Sequence, residues 1–136
     1  QERAHQEVRD NHFAFGLYSG DVDEILSHLV TEGYLNEERF ARAFAGGKFR
    51  VKNWGRIKII HELEARGLTK NCIHSGMKEI NETDYLEALQ TLLKKKSAQL
   101  DGENSFVKSN KLAKYAIQKG FESELVWKCI KAMTGE

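Results

Sequence analysis

An all-α fold of tandem three-helix repeats, stacked into an elongated, curved rod, is what this sequence predicts, and three observations carry that expectation. Its 136 residues contain no proline, the commonest helix breaker, while strong helix formers such as Leu, Ala, Lys, Glu and Arg are abundant. Three segments superpose on their glycines without a gap: VRDNHFAFGLYSGDVDEILSHL (8–29), IIHELEARGLTKNCIHSGMKEI (59–80) and LAKYAIQKGFESELVWKCIKAM (112–133). Within all three, apolar residues recur at spacings of three and four. Gly16, Gly67 and Gly120 stand 51 and 53 residues apart, a period at which small helical units bury their faces against neighbouring copies.

Each glycine ends an amphipathic run and is followed at once by Leu17, Leu68 or Phe121. That pattern predicts a left-handed helix terminus with a hydrophobic contact back onto the helix. A short polar link follows, with an N-cap among Ser19 to Asp21, at Thr69 and at Ser123. A second helix then presents Val22, Leu26 and Leu29, or Ile73, Met77 and Ile80, or Val126, Ile130 and Met133. Between these pairs, Asn36 is expected to cap a helix with Glu37 and Glu38 in its first turn, where negative charge meets the positive end of the helix dipole. Phe40, Ala43 and Phe44 form its expected apolar face, and Gly46 and Gly47 weaken or bend it.

A linker is expected from Phe49 to Asn53, then a helix carrying Ile57, Ile60 and Leu63 inward. Thr83 caps a further run in which Leu86, Leu89, Leu92 and Leu93 share a face and Lys94, Lys95 and Lys96 lie near the end. The expected units are therefore 1–35, the last two helices of a truncated first repeat, then 36–82 and 83–136 as complete three-helix repeats. A chain that starts at Gln1 rather than Met is expected to continue upstream.

Charge is distributed unevenly behind a net of +1. Residues 1–38 carry nine acids against Arg3 and Arg9, a net of −7; residues 39–61 carry seven bases and no acid; residues 62–136 carry twelve bases against eleven acids. A block of this kind is either a solvated helix face or a surface for an anionic partner, phosphate backbone or acidic protein. Lys48, Arg50 and Lys52 alternate with Phe49 and Val51, and Arg56 and Lys58 fall off the expected apolar face, so the cations can share one edge. Trp54 is either a packed residue at the repeat junction or a stacking platform for a base or an arginine.

Enzymatic motifs fail on inspection. His61-Glu62 begins like a zinc-protease helix, but Ala65 stands where the second ligand belongs. Cys72 and His74 lack a second pair of ligands. Gly46-Gly47-Lys48 is followed by Phe49 rather than the Ser or Thr of a phosphate loop, and there is no Gly-x-Ser-x-Gly. No catalytic residue, metal or cofactor is expected. Cys72 and Cys129 read as small buried hydrophobes of a reducing compartment. No apolar run approaches the ~20 residues of a membrane span, which leaves a cytoplasmic location as the expectation.

YLNEERFARAFAGGKFRVKNWGRIKIIHELEARGL (34–68) resembles the signature of the RecX family, bacterial regulators of the RecA recombinase. The likeness lies in Tyr34-Leu35, Glu38-Arg39-Phe40-Ala41, Trp54-Gly55, the Ile57/Ile60 helix, Glu62-Leu63 and Gly67, and KYAIQKGFESELV (114–126) is similar to the family's last repeat. The absent first helix of the leading repeat is a departure from that pattern. The resemblance implies a non-enzymatic modulator that lodges along the groove of the RecA–DNA filament, suppresses ATPase, strand-exchange and coprotease activities, and so bears on recombination and the SOS response. The residues expected to face RecA or DNA are Arg39, Arg42, Lys48, Arg50, Lys52, Trp54, Arg56 and Lys58, with Lys94, Lys95 and Lys96 as a weaker second patch. Single- or double-stranded DNA is expected to bind weakly and without sequence preference, and the chain is expected to be monomeric.

Two other readings stay open. One is a stand-alone helix-turn-helix DNA-binding protein, although NCIHSGMKEI offers only Asn71, His74 and Lys78 to read base edges. The other is a repeat scaffold whose basic stripe confers solubility alone.

Overall fold

A computed structural model describes residues 20–135, and every regular element among them is helical. The helices are α1 (Gly20–Lys52), α2 (Arg56–Ala65), α3 (Lys70–Met77), α4 (Glu82–Gln99), α5 (Ser105–Gln118) and α6 (Ser123–Thr134). The glycine turn expected at Gly16 and Leu17 lies outside the described residues, as do Ser19, the first of the cap positions expected among Ser19 to Asp21, and the side chain of Val22.

The largest difference from expectation is α1, whose 33 residues run without interruption through Asn36, Gly46 and Gly47. Asn36 does not start a helix; its Oδ1 accepts from Arg39 Nη2 at 2.5 Å. Extending a formed helix adds a hydrogen bond for each residue fixed, whereas a fresh start must cross a costly nucleus, so a cap residue inside a helical run is overridden. The same helix absorbs the linker expected at 49–53 as far as Lys52.

Two compact units share the chain. One comprises the described residues up to Gly46 with His61–Glu79. Its core holds Ala41, Ala45, Leu63, Leu68, Cys72 and Ile73. The α1–α3 approach is close because both contact residues are small: a Cβ on Gly76 would lie 2.6 Å from that of Ala41. Thr69 caps α3 as expected, its hydroxyl accepting from Cys72 N at 3.2 Å. The backbone N–H of Thr69 in turn donates to the buried carboxylate of Glu37 at 2.8 Å. Burial pushes the Cys72 thiol above its ordinary pKa.

The other unit comprises Gly47–Ile60 with Ile80–Glu136. Here α4, α5 and α6 pack on one another pairwise around Leu89, Leu93, Leu112, Ala116, Val126 and Ile130. An aromatic chain crosses the core, Phe49 to Tyr85 at 5.8 Å between ring centroids and Tyr85 to Phe121 at 5.1 Å. Cys129 is buried on α6.

Both described glycine turns match the expectation. Gly67 (φ 82°) and Gly120 (φ 105°) are left-handed. Leu68 N donates to Leu63 O at 3.3 Å and Phe121 N to Ala116 O at 3.2 Å, and the side chains of Leu68 and Phe121 are buried.

Several helix faces are rotated from their expected setting. Ile59 and Leu63 are buried on α2, whereas Ile57 is 52% exposed. On α4 the inward set is Tyr85, Leu89, Leu92 and Leu93, with Leu86 turned outward. On α1 it is Ala41, Ala45 and Phe49, with Ala43 exposed, and Met133 on α6 is more than a third exposed. Asn81, not Thr83, caps α4, accepting from Asp84 N at 3.1 Å. Glu122, not Ser123, holds the cap position of α6 and makes no side-chain capping bond there, because its carboxylate is committed elsewhere.

Candidate functional site

The acid-free segment 39–61 is divided between the two units, Arg39 and Arg42 falling in the first and Lys48 to Lys58 in the second. In the second unit α1 ends on Lys52, and Asn53 reverses the chain in the left-handed region (φ 58°), which Asn tolerates better than most side chains. Trp54 N donates to Lys48 O at 3.1 Å, tying the chain back to the end of α1. Lys48 Nζ and Lys58 Nζ then lie 4.9 and 4.5 Å from the Trp54 ring centroid, a favourable placement of ammonium against a π face. Trp54 is half-buried, and Arg50 and Lys52 are exposed beside it.

The next three residues are docked through their main chain. Gly55 N donates to Lys119 O at 2.8 Å, Arg56 N to Tyr85 Oη at 3.0 Å and Ile57 N to Gly120 O at 2.9 Å. These amides open α2 and have no partner within their own helix. The contact requires bare backbone: a Cβ on Gly55 would sit 2.3 Å from the carbonyl carbon of Gly120, and one on Gly120 would sit 2.5 Å from Lys58 Cβ. Lys119 Nζ also donates to Lys52 O at 3.3 Å, adding a base to this edge.

Arg56 is placed differently from the other cations. Its guanidinium meets Glu82 at 2.6 Å and Glu122 at 3.0 Å, with Cζ 3.8 Å from the centroid of the Tyr85 ring. Its side chain is three-quarters covered. The Tyr85 hydroxyl donates to Glu122 Oε1. Burial raises the Tyr85 pKa well above the ordinary phenol value; the Arg56 amide opposes this and the Glu122 carboxylate adds to it. Burial disfavours the Arg56 charge, but Glu122 and Glu82 outweigh it and raise the pKa further.

In the first unit Arg39 is exposed and bound to Asn36. Arg42 lies 3.5 Å from Glu38 and 3.9 Å from Glu79, pairs with little energetic weight at this exposure. Lys94 and Lys95 are exposed on α4, while Lys96 Nζ stands 4.7 Å from the Tyr115 ring centroid. The structure thus brings Lys48, Trp54 and Lys58 into one cluster and turns Arg56 into the fold. Sequence reasoning missed Lys119, Tyr85 and the two glutamates. The one available signal was Gly120, whose repeat column marks the turn on which Gly55 rests. Among the described residues no three His, Cys, Asp or Glu side chains gather to hold a metal ion, and no helix is long and apolar enough to cross a membrane.

Comparison with known proteins adds a family. Residues 36–77 match the model of the RecX second three-helix domain and residues 82–130 that of the RecX third three-helix domain. The chain is 26% identical over 126 residues to the regulatory protein RecX of Prosthecochloris aestuarii, covering 93% of this chain and 81% of that one. It is 24% identical to RecX of Geobacillus thermodenitrificans (91% and 46% covered) and 27% identical to RecX of Listeria monocytogenes (98% and 50%), so it spans about half the length of these two relatives. The crystal structure of RecX from Lactobacillus salivarius superposes with a TM-score of 0.75 at 19% identity, over all of this chain and 88% of that one, and shares its fold.

Proposed function

This chain belongs to the RecX family, and on that premise we propose that it is a non-enzymatic, cytoplasmic regulator that binds the RecA–DNA filament and inhibits RecA ATPase, strand exchange and coprotease activity. The observation that carries this reading is the acid-free block 39–61, which includes the Lys48–Trp54–Lys58 cluster with Arg50 and Lys52 exposed beside it. A surface of this kind suits a partner that offers DNA phosphate and acidic protein together. Inhibition follows if the regulator binds one state of the filament more tightly than the active one, since a ligand shifts an equilibrium only by its differential affinity. Arg39, Arg42, Lys48, Arg50, Lys52 and Lys58 are the proposed contact residues, with Trp54 as a stacking surface. Lys94 to Lys96 form a weaker second patch.

Reversing Lys48, Arg50 and Lys52 together to Glu tests the reading. The triple variant is expected to keep its helical circular dichroism and lose inhibition of DNA-dependent ATP hydrolysis by RecA. Inhibition at the wild-type level would exclude this edge as the working surface. Affinity for bare DNA should fall with salt by roughly 0.7 to 0.9 log units per log unit for each phosphate neutralised, without sequence preference; strong preference for one duplex would favour a sequence-reading protein instead.

A further inference from the structure

We propose that Arg56 is a positioning residue, which with Tyr85, Glu82 and Glu122 latches the Lys48–Trp54–Lys58 cluster in place, and does not itself touch the filament. The inference rests on the reading above that this edge is the working surface, and it reverses the role expected of this one base among its neighbours.

Both ends of Arg56 are committed. Its amide donates to Tyr85 Oη, and its guanidinium lies between Glu82 and Glu122 over the same ring. Turning that guanidinium toward a phosphate would leave Glu122, a partly covered carboxylate, without its cation and with the Tyr85 hydroxyl as its remaining donor. A partly covered charge left without its partner carries a desolvation penalty that a fully exposed one escapes.

Arg56 also sits midway between the residues it would control, two positions after Trp54 and two before Lys58. The amides of residues 55, 56 and 57 are all bound to groups of α4 or of the α5–α6 turn, so the start of α2 has little freedom to rotate. That rotation sets where Lys58 Nζ falls relative to the indole. Glu122 serves this duty in place of capping α6, where its side chain makes no capping bond.

Glu122→Gln separates the two roles by sign. The substitution is close to isosteric, removes one negative charge and loosens the latch. If Arg56 is a contact residue, freeing it and raising the net charge strengthens the complex, and the concentration needed for half-inhibition of the RecA ATPase falls. The positioning role requires the opposite, a rise of about tenfold or more, the scale expected for loss of a charge-assisted hydrogen bond. Tyr85→Phe, which leaves charge unchanged, is expected to raise it as well. In a Trp127→Phe background, where Trp54 is the only indole, Glu122→Gln should increase acrylamide quenching of its fluorescence.

All measurements are made well below each variant's thermal transition, so that lost stability alone does not move them. A fall or no change in the half-inhibitory concentration for Glu122→Gln overturns the latch. The Lys48/Arg50/Lys52 reversal run alongside keeps the two ideas apart. If that reversal abolishes inhibition while Glu122→Gln does not weaken it, only the role of Arg56 falls; if the reversal is silent, the working surface itself is elsewhere.

Discussion

Gly67 and Gly120 close the same local turn and carry different loads. Both residues are left-handed, and both turns return the following amide to the fifth carbonyl back and bury the apolar side chain that comes next. At Gly67 the space around an added Cβ is open, with nothing within 4 Å. At Gly120 the same atom would strike Lys58, and the carbonyl of Gly120 accepts the amide of Ile57. One glycine answers a conformational demand alone. The other answers that demand and also provides the flat backbone on which the basic turn rests. A shared sequence signal therefore identifies the turn and is silent about what is built on it.

The largest expected effect breaks this contrast directly. Gly120→Ala combines a strained φ with a 2.5 Å clash and is expected to cost about 3 kcal/mol or more of unfolding free energy in chemical denaturation. Gly55→Ala, at normal φ but 2.3 Å from backbone, should be comparably damaging. A loss below about 1 kcal/mol in either would mean that the two segments do not approach this closely.

An alkaline titration sharpens the comparison, since Tyr85 donates its hydroxyl hydrogen beside the Gly120 turn. Its folded pKa is raised above the unfolded value of 10.0. Above that pH the unfolded chain releases a proton that the folded chain retains, so stability is intact below about pH 10 and falls as pH rises further, by up to ~1.4 kcal/mol per unit. The slope attributable to this residue should vanish in Tyr85→Phe; an identical slope in both proteins would assign it to other groups.

The smallest effect is at Gly67. Substitution to Ala there meets only the positive φ and is expected to cost about 1 kcal/mol. A loss equal to that of Gly120→Ala would erase the distinction between the turns.

Features with local physical causes were legible in the sequence. The Gly67 and Gly120 turns, the Thr69 cap, the helical character and the burial of Leu68, Phe121, Ile73, Ile80, Val126 and Ile130 all follow from patterns within a few residues. Helix rotation was not legible. Ile57 and Ile60 compete with Ile59 for the inward face of α2, and the outcome is decided by amides bound to Lys119, Tyr85 and Gly120, more than 25 residues away. Asn36 failed as a helix start because its capping preference is weaker than continuation of a helix already formed. Of the candidate site, the acid-free run and the Trp54–Gly55 pair stood out at once. Arg56 looked like its neighbours because its partners at 82, 85 and 122 carry no mark in a linear reading.

Two of the three bonds that fasten residues 55–57 join main chain to main chain. Such an attachment is indifferent to the side chains displayed at 48, 50, 52 and 58. The charged turn can therefore be treated as an exchangeable cassette: its surface chemistry can be rewritten wholesale, for a new polyanion or for none, while Gly55 and Gly120 keep it seated.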